Sequence, residues 1–166
     1  MLKLILAALL ALAVPTAALA ADEAPSPVDL AKAACKSEKA QLGTNTFMLA
    51  YPDSSAATAM NACVAKRDGP AATDLKNAAK ACKAERAADP AAFTKKYGTN
   101  KNGKNAYGKC VSTKARHATG QETQARVNAA KTCKKLKAEQ KATFEADYGT
   151  KKNAFAKCVA KTAKAP

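Results

Sequence analysis

The stretch that decides the fold is Cys133-Lys134-Lys135 through Phe144, continuing as Tyr148-Gly149-Thr150-Lys151-Lys152-Asn153-Ala154-Phe155-Ala156-Lys157-Cys158-Val159. Most of it has already occurred upstream. Cys82, Phe93, Tyr97-Gly98-Thr99-Asn100-Lys101-Asn102 and Asn105-Ala106-Tyr107-Gly108-Lys109-Cys110-Val111 follow the same order. A fainter copy, Cys35, Phe47, Tyr51 and Cys63-Val64, precedes both. The chain therefore repeats one pattern three times, each copy opening and closing on a cysteine.

Apolar spacing within each copy is helical. Leu30, Ala33 and Ala34 share a face, as do Ala56, Ala59, Met60 and Cys63, then Leu75, Ala78, Ala79 and Cys82. Gly43 weakens the first helix, Pro52 ends the segment of Phe47, Met48 and Tyr51, and Asp53-Ser54-Ser55 offers caps for the next helix. Asp68-Gly69-Pro70 reads as the close of the first copy, with Thr73 as the cap of the following helix. Asp89-Pro90 suits N-cap and N1 of a short helix from Pro90 to Tyr97, and Gly98 is expected to end it in a left-handed conformation. The third copy lacks that proline, so its helix either runs unbroken to Tyr148 or bends near Glu139 to Lys141. A final helix is expected near Asn153 to Ala163. Valine and isoleucine are too scarce, and alternation too short, for a sheet.

The apolar share of the 166 residues is largely alanine, with four Phe, four Tyr and no Trp. Alanine favours helix but buries little area, so cross-links are expected to support each copy. A self-contained duplicated unit must carry its own link, which pairs Cys35 with Cys63, Cys82 with Cys110 and Cys133 with Cys158; pairing between copies is the alternative. Closing a loop of roughly 25 to 28 residues contributes about 3 kcal/mol in the chain-entropy model. Zinc or dithiol redox chemistry would call for close pairs such as C-x-x-C, and the nearest cysteines in sequence, Cys63 and Cys82, are far wider apart.

The N-terminus indicates where such links could form. Lys3, the apolar run Leu4 to Val14, Pro15 and Ala18-Leu19-Ala20 read as a signal peptide over residues 1–20, too short in its apolar core to span a membrane. Residues 21–29 are a polar, proline-containing lead-in, followed by helical units at 30–68, 71–118 and 121–163. Removing the signal lowers the formal net charge from +15 to +14. The positive excess belongs to the second and third units, where any polyanion contact is to be sought.

Lys76, Lys80 and Lys83 form a stripe on one helix face, and Lys131 and Lys134 begin another; Lys101, Lys151 and Lys152 stand in the repeated Tyr-Gly-Thr loops. These eight are the candidate anion-binding residues. A rigid basic stripe holds polyanions by salt-sensitive attraction, while the same charges also serve solubility. The loops themselves read either as ligand-binding turns or as helix ends followed by polar residues. His117, the single histidine, sits beside Arg116 in an expected linker with no orienting carboxylate or nucleophile in motif. Paired catalytic acids and a phosphate-cradling glycine loop are both missing, so no catalytic, cofactor or metal residue is assigned and the chain is expected not to be an enzyme.

The run Phe93, Tyr97-Gly98-Thr99-Asn100-Lys101-Asn102, Asn105-Ala106-Tyr107-Gly108-Lys109-Cys110-Val111, with its partner ending Asn153-Ala154-Phe155-Ala156-Lys157-Cys158-Val159, resembles a repeat of small, uncharacterised exported proteins of actinobacteria. The resemblance covers residues 75–162 and brings no activity with it. The first copy departs from it, with Tyr51-Pro52 and Asn61-Ala62-Cys63 at the corresponding places. The expectation is an all-α protein of three Cys-bounded helical modules, hairpins or sets of three short helices, with intra-unit disulfides. It would be secreted or associated with the cell surface, and would act as a structural or binding protein touching anionic envelope polymer or a partner protein. A cationic membrane-active or nucleic-acid-binding effector is the alternative reading.

Overall fold

The computed structural model describes residues 24–52 and 55–164. The expected signal peptide at 1–20, Asp53 and Ser54 lie outside the described residues. Six helices follow in order: α1 Pro27–Ala50, α2 Ala56–Ala88, α3 Pro90–Tyr97, α4 Ala106–Glu139, α5 Lys141–Tyr148 and α6 Ala154–Thr162.

Local chemistry explains most of their ends. Ser26 caps α1 by accepting from the Asp29 amide, with Pro27 in the first turn. That cap starts the helix earlier than the apolar spacing alone implied. Gly43 then takes φ 73° and ψ 158°, a kink that an L side chain would oppose, and the helix resumes to carry Phe47 and Ala50 into the core. Ser55 and Thr58 form a reciprocal capping box at the start of α2. Asp89 closes α2 and caps α3 through Ala92, and Pro90 needs no amide partner there.

Three local expectations are corrected. Gly69, Pro70 and Thr73 all lie within α2, and the Thr73 hydroxyl donates back to the Gly69 carbonyl instead of capping a new helix. Pro70 returns no amide to the Lys66 carbonyl, but packing of α2 against both α1 and α4 carries the helix through. His117 and Gly120 likewise lie within α4 and not in a linker. Gly98 has φ −72° rather than a left-handed value; glycine is required there because a Cβ would stand 2.6 Å from the Thr94 carbonyl oxygen. In the third copy the bend at Gln140 separates α4 from α5.

α1, α2 and α4 pack on one another, α3 lies against α2 and α4, and α5 and α6 lie against α4 and each other. α2 and α4, with 33 and 34 residues, are rods of about 50 Å. Each carries the closing cysteine of one copy and the opening cysteine of the next. The disulfides join Cys35 to Cys63, Cys82 to Cys110 and Cys133 to Cys158, with Cα atoms 6.0 Å apart in each. In every copy an aromatic pair one turn apart lies near the bridge: Phe47–Tyr51, Phe93–Tyr97 and Phe144–Tyr148, with ring centroids 4.9, 5.0 and 5.2 Å apart.

The apolar interior is divided in two. One core gathers Cys35, Phe47, Tyr51 and Cys63 with Cys133, Phe144, Phe155 and Cys158, so the first and third copies share it. The other gathers Leu30 and Ala31 with Ala71, Cys82, Phe93, Cys110 and Val111. The result is an all-α, disulfide-rich bundle whose bridges tie helices that the copies hold in common.

Candidate functional site

Between the two cores, where α2 and α4 cross the middle of the bundle, the side chains turn polar. Glu38 of α1 is fully buried and Arg67 of α2 is only 5% exposed. Arg67 donates through Nη2 to Glu38 at 2.9 Å and through Nη1 to the Thr123 hydroxyl at 3.0 Å. Arg126 of α4 donates through Nε to the Tyr51 hydroxyl at 3.0 Å and, more weakly, to Glu38 at 3.4 Å. Tyr51 in turn donates to Glu38 at 3.0 Å. Thr123 gives its hydrogen to the Thr119 carbonyl, and the Thr119 hydroxyl donates to Asp74. A polar belt thus joins α1, α2 and α4.

Within the belt the two guanidiniums share Glu38 as their carboxylate, while Asp74 joins only through the Thr119 hydroxyl. Arg126 lies over the Tyr51 ring at 5.1 Å, with the Lys66 ammonium 5.7 Å from the same centroid. Burial, and then the Glu38 charge, push the Tyr51 hydroxyl above its ordinary pKa, against the opposing pull of Arg126 and Arg67. Among the described residues Arg67 Nε has no hydrogen-bond partner. The hydrogen bonds Arg126 makes to other described side chains leave from Nε.

Outside the belt, α2, α4 and α6 enclose an open groove of about 490 Å³. Lys66, Arg67, Arg126 and Lys164 supply its positive charge, and Pro70, Ala125, Ala160 and Ala163 its apolar wall. Glu122 also lines it; partial burial, reinforced by Asp74, raises the pKa of its carboxyl.

The belt has a counterpart in the second copy. Glu85 follows Cys82 as Glu38 follows Cys35, and Lys114 follows Cys110 as Arg67 follows Cys63. Glu85 accepts from Lys96 at 2.7 Å, pairs with Lys114 at 3.2 Å and accepts from the Tyr97 hydroxyl. The Lys96 hydrogen bond, aided by Lys114 and Tyr97, lowers its pKa to about 2. In the third copy the two places hold Leu136 and Thr162. Leu136 packs against the shared core, and the Thr162 hydroxyl lies 3.7 Å from Cys133 Sγ. Sequence reading missed Glu38, Arg67 and Arg126. The available signal was an acid three residues after the opening cysteine and a base four after the closing one, in two copies of three.

The eight candidate lysines are all exposed, and the fold does not gather them. Lys76, Lys80, Lys83 and Lys101 lie toward the end held by the Cys82–Cys110 bridge, while Lys131, Lys134, Lys151 and Lys152 lie toward the end held by Cys133–Cys158. The two bridges are separated along α4 by about 35 Å. The Tyr97 to Asn105 loop is held by its own groups. Asn105 accepts from the Thr99 amide and donates to the Thr99 hydroxyl at 2.6 Å. In the third copy Thr150, Lys151 and Lys152 edge a smaller hollow of about 170 Å³ beside Phe144 and Phe155.

Among the described residues no helix is long and apolar enough to cross a membrane, and no group of three or more His, Cys, Asp or Glu is placed to hold a metal ion. Comparison of the chain with protein-family models, curated proteins and solved structures gives no match.

Proposed function

We propose that the chain is an exported binding protein whose lysine-rich ends contact anionic polymer of the cell envelope, on a repeated helical scaffold that the disulfides make durable. The observation that carries this reading is the different use of the two charge signs. Several carboxylates are engaged within the protein: Glu38 is buried, Glu85 and Asp74 are held by neighbouring side chains, Asp89 caps α3, and Glu139 and Glu145 each pair with a lysine one turn away on the surface. Lys76, Lys80, Lys83, Lys131, Lys134, Lys151 and Lys152 stand exposed. A surface of that kind attracts polyanions without demanding a sequence or a shape, and releases them as salt rises. Two separated clusters on one rigid body would engage one polymer at two points, which multiplies a weak contact.

The direct test is a salt titration of binding to inorganic polyphosphate. Affinity is expected to fall steadily as sodium chloride rises. Replacing Lys76, Lys80 and Lys83 by alanine should flatten that dependence, and adding Lys131→Ala and Lys134→Ala should flatten it further. Absence of binding at low salt, or binding indifferent to all five replacements, would refute the proposal. Leakage of anionic vesicles at low salt would favour a membrane-active role instead.

A further inference from the structure

We infer that the groove between α2, α4 and α6 is a binding site for a small amphiphilic anion, a single apolar chain bearing a phosphate or carboxylate head. The polymer-binding ends are a different surface, so this site stands or falls separately. Its first element is the Arg126 guanidinium. Glu38 and Tyr51 hold that group by Nε, and the Tyr51 ring lies against it at 5.1 Å. Both terminal NH2 groups of Arg126 are thereby left to present the planar fork that pairs with two oxygens of a carboxylate or phosphate. A guanidinium fixed through its inner nitrogen loses little freedom when an anion arrives.

The second element is charge. Lys66, Arg67 and Lys164 join Arg126 around the groove, four positive groups against Glu122 on its wall, Asp74 acting on Glu122, and the buried Glu38 behind it. Arg67, 95% removed from solvent, brings a guanidinium whose Nε is unpartnered among the described residues. A bound anion would relieve this excess.

The third element is shape. Pro70, Ala125, Ala160 and Ala163 offer small apolar surface, and about 490 Å³ is the scale of a small-molecule site rather than of a docked helix. Among the described residues no aromatic ring lines the groove, so a stacked nucleobase is disfavoured relative to an alkyl chain. Head and chain chemistry thus lie side by side in one concavity.

Titration calorimetry of the oxidised chain with decyl phosphate, kept below its micelle threshold, tests the inference. Binding is expected to be at least about tenfold tighter than for inorganic phosphate, and the uncharged decyl maltoside should bind at least about tenfold more weakly. Ala125→Leu with Ala160→Leu fills the groove from two helices without removing any charge. It should weaken decyl phosphate about tenfold or more while leaving helicity and polyphosphate binding unchanged. Lys66→Ala with Lys164→Ala should weaken the phosphate-bearing ligand, and Glu122→Gln should tighten it. Decyl phosphate affinity that is unaltered by the two leucines, or matched by decyl maltoside, would overturn the site. Loss of polyphosphate binding in the lysine-cluster variants with decyl phosphate retained would leave this inference standing.

Discussion

Glu38 and Glu85 occupy the same place in the repeat, and the structure uses them in opposite ways. Glu38 is sealed from water and meets two arginines, one of them supplied by the third copy. Glu85 is 31% exposed and meets two lysines of its own copy. The partner changes with the environment. Arginine's planar fork and weak hydration suit a buried carboxylate, while lysine's compact, hydrated charge suits an open one. One repeat position serves as a lock between copies in the first case and as a surface clasp in the second. The third copy has Leu136 there.

That contrast breaks most visibly at Glu38. Glu38→Ala strands Arg67 in a buried site, and a loss of about 3–5 kcal/mol in urea unfolding is expected. Glu85→Ala should shift the midpoint by only a small fraction of that amount. Equal shifts would show that burial does not separate the two sites.

Next come the bridges. The end held by Cys82–Cys110 has no second disulfide, whereas two bridges share the opposite core. Replacing both Cys82 and Cys110 by alanine should cost about 3 kcal/mol and speed amide exchange in α3 well before α5 and α6. Uniform acceleration across the chain would mean that the two cores unfold as one.

Titration sharpens the comparison further. Glu85, lowered to about 2 in the folded chain, contributes stability above the ordinary glutamate range near 4.5 and loses it as pH falls toward 2. Carbon-13 chemical shifts of its carboxyl should follow that low midpoint, and Lys96→Ala should move it upward. Tyr51 has the reverse sign: its folded pKa is raised, so its contribution is complete below about pH 10 and is lost as pH rises through the higher folded value. Ultraviolet absorbance should show a tyrosine ionising late, and Tyr51→Phe should remove that step.

The smallest expected effect is a reconstruction. Leu136→Glu should destabilise the shared core, and Thr162→Lys added to it should recover a coupling of about 0.5 kcal/mol, the scale of an exposed pair. A double variant no better than the sum of its parts would show that the third copy can no longer hold the contact.

Helix content and the Asp89-Pro90 cap were legible because each is a local event with a local cause; at Gly43 the sequence indicated only a weakened helix, and near Gln140 a bend as one of two alternatives. The continuity of α2 through Gly69-Pro70 was not legible. Those residues are breakers by propensity, and only the flanking α1 and α4, brought alongside by the fold, override them. The lysine stripes were visible as spacing, but their separation to opposite ends depends on the course of α2 and α4. The polar belt was hidden for the same reason: Arg126 is 88 residues from Glu38 along the chain, and no window of sequence contains both.

The sharing of α2 and α4 between copies also determines how the molecule withstands a protease. A cut anywhere inside the loops Cys35–Cys63, Cys82–Cys110 or Cys133–Cys158 leaves both fragments tethered by sulfur. Between Cys35 and Cys158, only scission between the staples, at 64–81 or 111–132, divides the polypeptide, and both stretches are wound into the interiors of α2 and α4, where no extended backbone is offered to an enzyme's cleft. Nicked chains should therefore stay whole until a reductant is added.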